Sequence, residues 1–501
     1  MKKIYLLSFI ALWQFVQVNA QNTDWQFHSY YHDPFNEDKA YGVTPTSDGG
    51  FVYVGKYGTN GNGNADIYVS KLNSSGMTVW TKIYSDSLGD EGRSIKELSD
   101  GSFIVSGFTF RMGDTTGASS YKNLLMKLDS NGDSLWTRQF KSSGVALGDG
   151  FGGCVEKTFD GGFVLVGKFP NGGNGNDFCL AKANANGDSV WTKLYGSTGS
   201  DIARSVVQTA DSGFIISGTT KSYGPNAATG NMWLIKTNST GNTMWTKVIG
   251  SANEEECFMA RPTMDGGYIL AGRTGNNSTS SSDLFVVKTD ANGDSLWSKT
   301  FGNPIDNDFG RDIVQTADHG YALIGSRVAT HGYSLLFPQL MYVVKMDSMG
   351  TKQWDKELGY DGSPNGANGL SIANTPDGGL VAAGFNQVDS LAGVEDIRAF
   401  VVKFSPLPTA IPSLLKETVA GSLVYPNPFN ETATISIPAK MTGSATLDIY
   451  NATGQKVMSR NIDGGITNVT ISKKELSLGM YFYELHSVKD DARFRGKFIA
   501  E

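Results

Sequence analysis

The sequence predicts an all-β chain: a seven-bladed β-propeller over residues 22–405, then a small Ig-like β-sandwich over 422–501. Three observations predict it. The first is a turn-plus-tryptophan string, Asp129-Ser130-Asn131-Gly132-Asp133-Ser134-Leu135-Trp136, which recurs at 184–191 and 290–297. Looser copies end at Trp80, Trp245 and Trp354, and a lone first copy ends at Trp25. Successive tryptophans are 52–57 residues apart, a period that marks a propeller-like array. The second is a turn beginning with Asp and rich in Gly, repeated at Asp48, Asp100, Asp160, Asp211, Asp265, Asp318 and Asp377. The third is composition. Gly 61 in 501 residues, with no collagen period, suits many turns between short strands.

Each period resolves into four strands. In the fourth repeat they are 203–209, 214–218, 232–236 and 243–247, each rich in β-branched and aromatic residues and bounded by Gly, Asn or Asp. Glycine supplies the positive φ of the tight turns, and Asp caps its own turn. Repeated in every blade, these residues read as architecture. The tryptophans read as packing between neighbouring sheets.

The order at the ends predicts the closure. Trp25 precedes the first full set of three strands, and no tryptophan strand follows 399–404, where Pro406 and Pro408 intervene. The strand around Trp25 therefore completes the last blade, ties the ends of the ring and protects both edges.

Two long-range features follow from the ends of the chain. Lys2-Lys3, the apolar run 4–16 and Val18-Asn19-Ala20 form a secretory signal over 1–20, with cleavage expected before Gln21. No later run approaches the ~18 apolar residues of a membrane helix, so no transmembrane segment is expected after cleavage. Net charge is -7 and pI about 5.4, which excludes a basic nucleic-acid footprint. Cys154, Cys179 and Cys257 are too few for a disulfide scaffold and read as small buried hydrophobes.

Two faces are expected. The short Asp-Gly and Asn-Gly-Asp turns share one regular face. Long, irregular second-to-third strand loops and the links between blades share the other, where binding is usually found. Those links are acidic: Asp90-Glu91, Asp149, Asp201, Glu254-Glu255-Glu256, Asp306 and Asp308. Carboxylates converging there form the candidate ligand site, and a hard cation such as Ca2+ is the ion they would take. No other cofactor is expected. Arg93, Arg204 and Arg311 each stand three residues after an acid, so ion pairs within each blade explain the spacing without a ligand. Glu254-Glu255-Glu256 is the exception, with no arginine at that offset. No catalytic residues are identified. The five histidines lack metal-ligand spacing apart from His28 and His32, which lie in a β-like stretch, and no phosphate loop is present.

The repeat resembles the WD-repeat-like propeller repeats of exported bacterial proteins. Its hairpin is similar to the Asp-box of sialidase-like propellers, with two spacings one residue longer and no Arg triad to carry catalysis over. After a Pro-punctuated linker at 406–421, the tail alternates apolar and polar residues over 433–437, 445–450, 456–461, 468–472, 479–487 and 496–500. It carries Tyr425-Pro426-Asn427-Pro428-Phe429, then Asn451-Ala452-Thr453-Gly454-Gln455, Leu478-Gly479-Met480-Tyr481 and Gly496-Lys497-Phe498-Ile499. In these residues, including Pro426, Asn427, Pro428, Gly454, Gly479, Tyr481 and Lys497, it resembles the type A C-terminal sorting domain of the type IX secretion system of Bacteroidetes. That resemblance implies passage through the periplasm, contact with the secretion machinery and its sorting protease, removal of the tail, and release or attachment at the outer cell surface.

Two functions are compatible with this reading. One is a non-enzymatic surface module that binds a glycan or protein ligand. The alternative is a polysaccharide-active hydrolase or lyase with its acids at the channel mouth, which would need two carboxylates at a defined separation.

Overall fold

A computed structural model describes residues 23–29, 37–58, 65–85, 89–111, 120–140, 154–170, 175–225, 227–276, 281–302, 306–328, 339–359, 366–389, 395–405, 424–437, 443–451, 456–487 and 492–500. The signal segment 1–20, the linker 406–421, Asp149 and Gly454 lie outside the described residues. The chain divides into two compact units, Met1–Leu407 and Pro408–Glu501. Among the described residues no helix is long and apolar enough to cross a membrane.

The first unit contains seven four-stranded antiparallel sheets. Six take their strands in chain order from innermost to outermost. The seventh takes Ala367–Asn374, Leu380–Asp389 and Glu395–Phe404, then adds Thr23–His28 as its outermost strand. In that pairing Trp25 faces Lys403 and Phe27 faces Val401. The inner strands touch one another cyclically, and Lys39–Pro45 of the first blade meets Ala367–Asn374 of the seventh. This is a closed seven-bladed propeller.

The core lies between blades rather than within them, because each sheet buries both faces against its neighbours. Val52, Val54, Ile67 and Val69 of the first blade pack on Ile95, Phe103, Val105 and Leu124 of the second. At the seam, Phe27, Tyr53 and Tyr68 pack on Val381, Ala399 and Val401.

The turn-plus-tryptophan string joins blades. Trp80 sits edge-on to Phe103 of the next blade at 6.0 Å, and its Nε1 donates to the carbonyl of Ser130 at 3.2 Å. Two residues on, Lys82 pairs with Asp133 of that blade's hairpin at 2.8 Å. The ring contact recurs further round, with Trp191 on Phe214 at 6.2 Å, Trp245 on Tyr268 at 6.1 Å and Trp297 on Tyr321 at 6.0 Å. Trp25 reaches Ser74 of the first blade at 3.1 Å, as an outer strand of the seventh blade should. The hairpin glycines serve two purposes. Gly187 has φ +80°, and a Cβ there would stand 2.5 Å from the ring of Trp136. Gly187→Ala should therefore cost about 1–3 kcal/mol, read as a lower urea midpoint with an unchanged slope.

The Asp-Gly turns are equally uniform. In each of the seven blades a third-strand lysine pairs with the turn Asp, at 2.6–3.2 Å, from Lys71 with Asp48 to Lys403 with Asp377. At Asp265, burial pushes the carboxyl up, but hydrogen bonds from Thr263, Lys288 and the Gly267 amide outweigh it and bring it down to about 2. Asp48 reaches about 2 chiefly through Lys71, and Asp100 chiefly through Ser102. A depressed carboxyl stabilises the fold above its ordinary value of 3.8 and loses that contribution as pH falls through its folded value. Most of these Asp side chains are more than a third exposed, so each pair is worth under about 1 kcal/mol. Seven together make the melting temperature fall most steeply between about pH 4 and about pH 2. Thermal scans across that range check it, and Asp265→Asn should narrow the gap between the melting temperatures at neutral and acid pH.

The second unit is a two-sheet sandwich. One sheet orders Val424–Tyr425, Thr432–Ser436 and Asn468–Ser472. The other orders Lys456–Ile462, Ala445–Asn451, Gly479–Ser487 and Ala492–Ala500. Ile435, Ile471, Leu447, Ile449, Leu485 and Phe498 fill the space between them. A short 3-10 turn, Lys473–Glu475, follows Ser472 with a capping box that alternation alone does not reveal.

Candidate ligand site in the propeller channel

The seven inner strands surround a channel. In six of them the ladder slips by one residue at the same place, leaving one extra residue opposite the second strand. Such a β-bulge re-aims a side chain. The extra residues are Tyr41, Arg93, Arg204, Phe258, Arg311 and Leu370, and all six line one cavity of about 320 Å3. In the third blade the corresponding position falls before Cys154, outside the described residues. Glycine in the second strand makes the bulge possible: a Cβ on Gly218 would lie 2.0 Å from the carbonyl oxygen of Ile202.

The cavity is basic. Arg93, Arg204 and Arg311 stand in its upper ring, nearer the irregular face, because each inner strand runs from that face toward its Asp-Gly turn. Three residues further along, Lys96, Glu156 and Arg261 line the next layer. Arg261 is spent: it forms a forked pair with Asp312, with contacts of 2.9–3.3 Å. Asp312 also accepts from the Ile372 amide at 3.0 Å, which ties blades five, six and seven together. Arg93 pairs with Glu91. Arg204 is 8% exposed, and its Nε and Nη1 atoms are buried without a hydrogen-bond partner.

The aromatic members stack on the cations. The Arg204 and Arg311 guanidinium carbons lie 5.0 and 4.3 Å from the Phe258 ring centre, and that of Arg93 lies 4.0 Å from Tyr41. Burial pushes the Arg311 guanidinium down to about 9, helped by the nearby charge of Arg204 and opposed by Glu256. Burial also lowers Arg204, with Glu256 opposing and Arg93 reinforcing the shift.

The acidic links are placed differently from the sequence expectation. Among the described residues, none of the acids in those links lines the channel cavity. Asp201 is fully buried and accepts from Thr220 at 2.5 Å, from the amides of Lys221 and Ser222, and from the Ser222 hydroxyl at 2.6 Å. It does not meet Arg204, because alternation puts residues three apart on opposite sides of a strand. The expected pairs between residues three apart are thus replaced, at Arg93, by a pair with Glu91. Glu254 and Glu256 both bind Arg273, at 3.2 and 2.9 Å, so the triple-Glu run is not the uncompensated exception its sequence suggests. Glu255 is buried and bonds the Ser251 hydroxyl and amide. Asp90, Asp306 and Asp308 are buried as well. No group of three or more His, Cys, Asp or Glu able to hold a metal ion occurs among the described residues. The signal for the channel ring was present as the second-strand glycine, repeated opposite each bulge.

In the second unit, motifs far apart in sequence meet at the last strand. Asn427 Oδ1 accepts from the Ile499 amide at 2.9 Å, and the Phe429 amide donates to the Ile499 carbonyl at 3.0 Å. Phe429 is 2% exposed and sits 5.7 Å from Phe498. Pro426 and Pro428 flank Asn427 with cis peptide bonds. Gly479 begins its strand at φ +148°, and Tyr481 donates to the Ser477 carbonyl at 2.8 Å. Lys497 lies on the terminal strand, opposite Phe482.

Residues 423–500 match the family described as the secretion system C-terminal sorting domain. No curated protein matches the chain. Similar solved structures include a fungal alcohol oxidase of the AA5 family, at 14% identity over 96% of this chain and 100% of that one, with TM-score 0.45. The β-propeller domain of the trilobed protease from Pyrococcus furiosus is similar at 8% identity, over 76% and 98%, with TM-score 0.39. PorZ, a surface component of the type IX secretion system of Porphyromonas gingivalis, is similar at 10% identity, over 92% and 81%, with TM-score 0.21. No function is transferred from these likenesses. The ring of seven sheets and the matched tail together identify the chain as a β-propeller protein sorted by type IX secretion to the cell surface or exterior.

Proposed function

We propose that the propeller is a non-catalytic binding module that recognises a glycan or protein ligand once the chain is outside the cell. The observation that carries this reading is how the acids are used. Glu91, Asp201, Glu254 and Glu256 are held by partners within their own blades, and Glu255 by Ser251 in the link that leads into its blade, so they shape the loops. A glycosidase needs two carboxylates facing one substrate bond. The channel instead offers cations and aromatic faces on a rigid ring, which suits recognition. The C-terminal domain engages the secretion machinery, and in this reading a sorting protease then removes it. A glycan array probed with the purified mature chain, run beside a hydrolysis screen on the same sugars, tests the proposal. Specific retention without new reducing ends is the expected result. Release of oligosaccharide products would overturn it.

A further inference from the structure

We propose that Arg204 and Arg311, sharing the Phe258 ring, form an oxyanion site in the propeller channel that takes the carboxylate or sulfate of an acidic saccharide. The inference rests on the binding reading above and names the chemistry of the ligand.

Three observations support it. Arg204 is more than nine-tenths buried and lines the cavity, yet its buried Nε and Nη1 atoms have no hydrogen-bond partner. A buried cation with unmet donors costs stability and persists where something else supplies the acceptor. A guanidinium fork matches a planar or tetrahedral oxyanion with two parallel hydrogen bonds. Next, the bulges aim three arginines inward from alternate blades, two, four and six, in a chain whose net charge is -7. Among the lining acids, Asp312 is occupied by Arg261, so it does not neutralise the upper ring. Lastly, Phe258 and Tyr41 put apolar ring faces beside the cations. A sugar acid presents the same combination, a C–H face next to a charged group. The cavity, about 320 Å3, suits a small ligand or a chain terminus.

The test uses the full mature chain and three probes: glucuronate, glucose 6-sulfate and glucose. Titration calorimetry should detect binding of the two anions and none of glucose, and comparison of the first two distinguishes carboxylate from sulfate. Arg204→Gln should weaken anion binding roughly tenfold or more, and Arg204→Lys should restore only part of it, because charge returns without the fork. Without ligand, Arg204→Gln should melt at or above the wild-type temperature, since it removes a buried charge with two unmet donors whose attraction to Glu256 is outweighed by burial together with Arg93 and Arg273. A merely structural arginine would instead lower the melting temperature. Should that variant fail to fold, Arg311→Gln takes its place with the same expectation.

Equal binding of glucose and glucuronate, no binding of either anion, or undiminished binding in both variants would overturn the oxyanion site. Neutral array hits with no response to glucuronate would sink this inference and leave the binding reading standing. Turnover of a bound acidic glycan would sink the non-catalytic reading and leave the oxyanion site standing.

Discussion

A chain beginning at Ser29 should melt roughly 10 °C or more below one beginning at Gln21. The deleted strand, Thr23–His28, is the fourth strand of the seventh blade, although it is first in sequence. Its removal strips the ladder from Glu395–Phe404 and exposes the edge the closure protects. Phe27 leaves its place beside Tyr53, 6.0 Å away, and Trp25 leaves Phe51, 5.4 Å away. Lys403, 9% exposed at its side chain, loses Asp24 at 2.6 Å and keeps Asp377. Truncating one buried aromatic costs about 3–5 kcal/mol, and each kcal/mol lowers the melting temperature of a domain of about 150–250 residues by about 2–4 °C and of this larger ring by somewhat less. Two aromatics and six strand residues therefore suffice for the effect. Differential scanning calorimetry checks it. A truncated chain melting within about 2 °C of the longer one would show that the strand closes nothing.

The second large effect concerns destination. A chain ending at Ser405 should fold its propeller, accumulate in the periplasm and be missing from the cell surface and the medium. The sorting domain forms a compact unit with its own core, so its loss leaves the ring's contacts intact. Phe429→Ala is the finer version. It empties a site 2% exposed, beside Phe498, at a cost of about 3–5 kcal/mol to a small domain. Cell fractionation with immunodetection reads both variants. Surface display of the chain ending at Ser405 would mean that the tail is dispensable for sorting.

The parts of this fold that were legible in the sequence are those whose physics is local and repeated. An Asn-Gly-Asp hairpin needs the positive φ of Gly187 wherever it occurs, and Trp136 needs that glycine because its ring lies on it. The same requirement returns in blade after blade, so period and blade count appear in the string itself. The closure was legible for the same reason, as one tryptophan strand left over at the start of the count and one missing at its end. The channel was not, because its ring is built from residues that differ between blades. Tyr41, Arg93, Phe258 and Leu370 share a bulge and nothing else. Their common mark is the glycine on the neighbouring strand, which reads as an ordinary turn residue until the close approach of Gly218 to Ile202 gives it a reason. The acids misled by proximity in sequence. Asp201 and Arg204 suggest an ion pair at three residues' spacing, but a strand turns them apart. Asp201 caps its own loop through Thr220 and Ser222, and Arg204 faces the channel. In the tail, each motif alone is a turn signal, and only the meeting of Asn427 and Phe429 with Ile499 shows why they occur together.

The most direct test of the central claim, that this exported propeller binds its ligand without transforming it, is mass analysis of a retained glycan after prolonged incubation with the mature chain. Wild-type protein should return the glycan intact. Recovery of shortened or unsaturated fragments from the wild-type incubation would contradict the account.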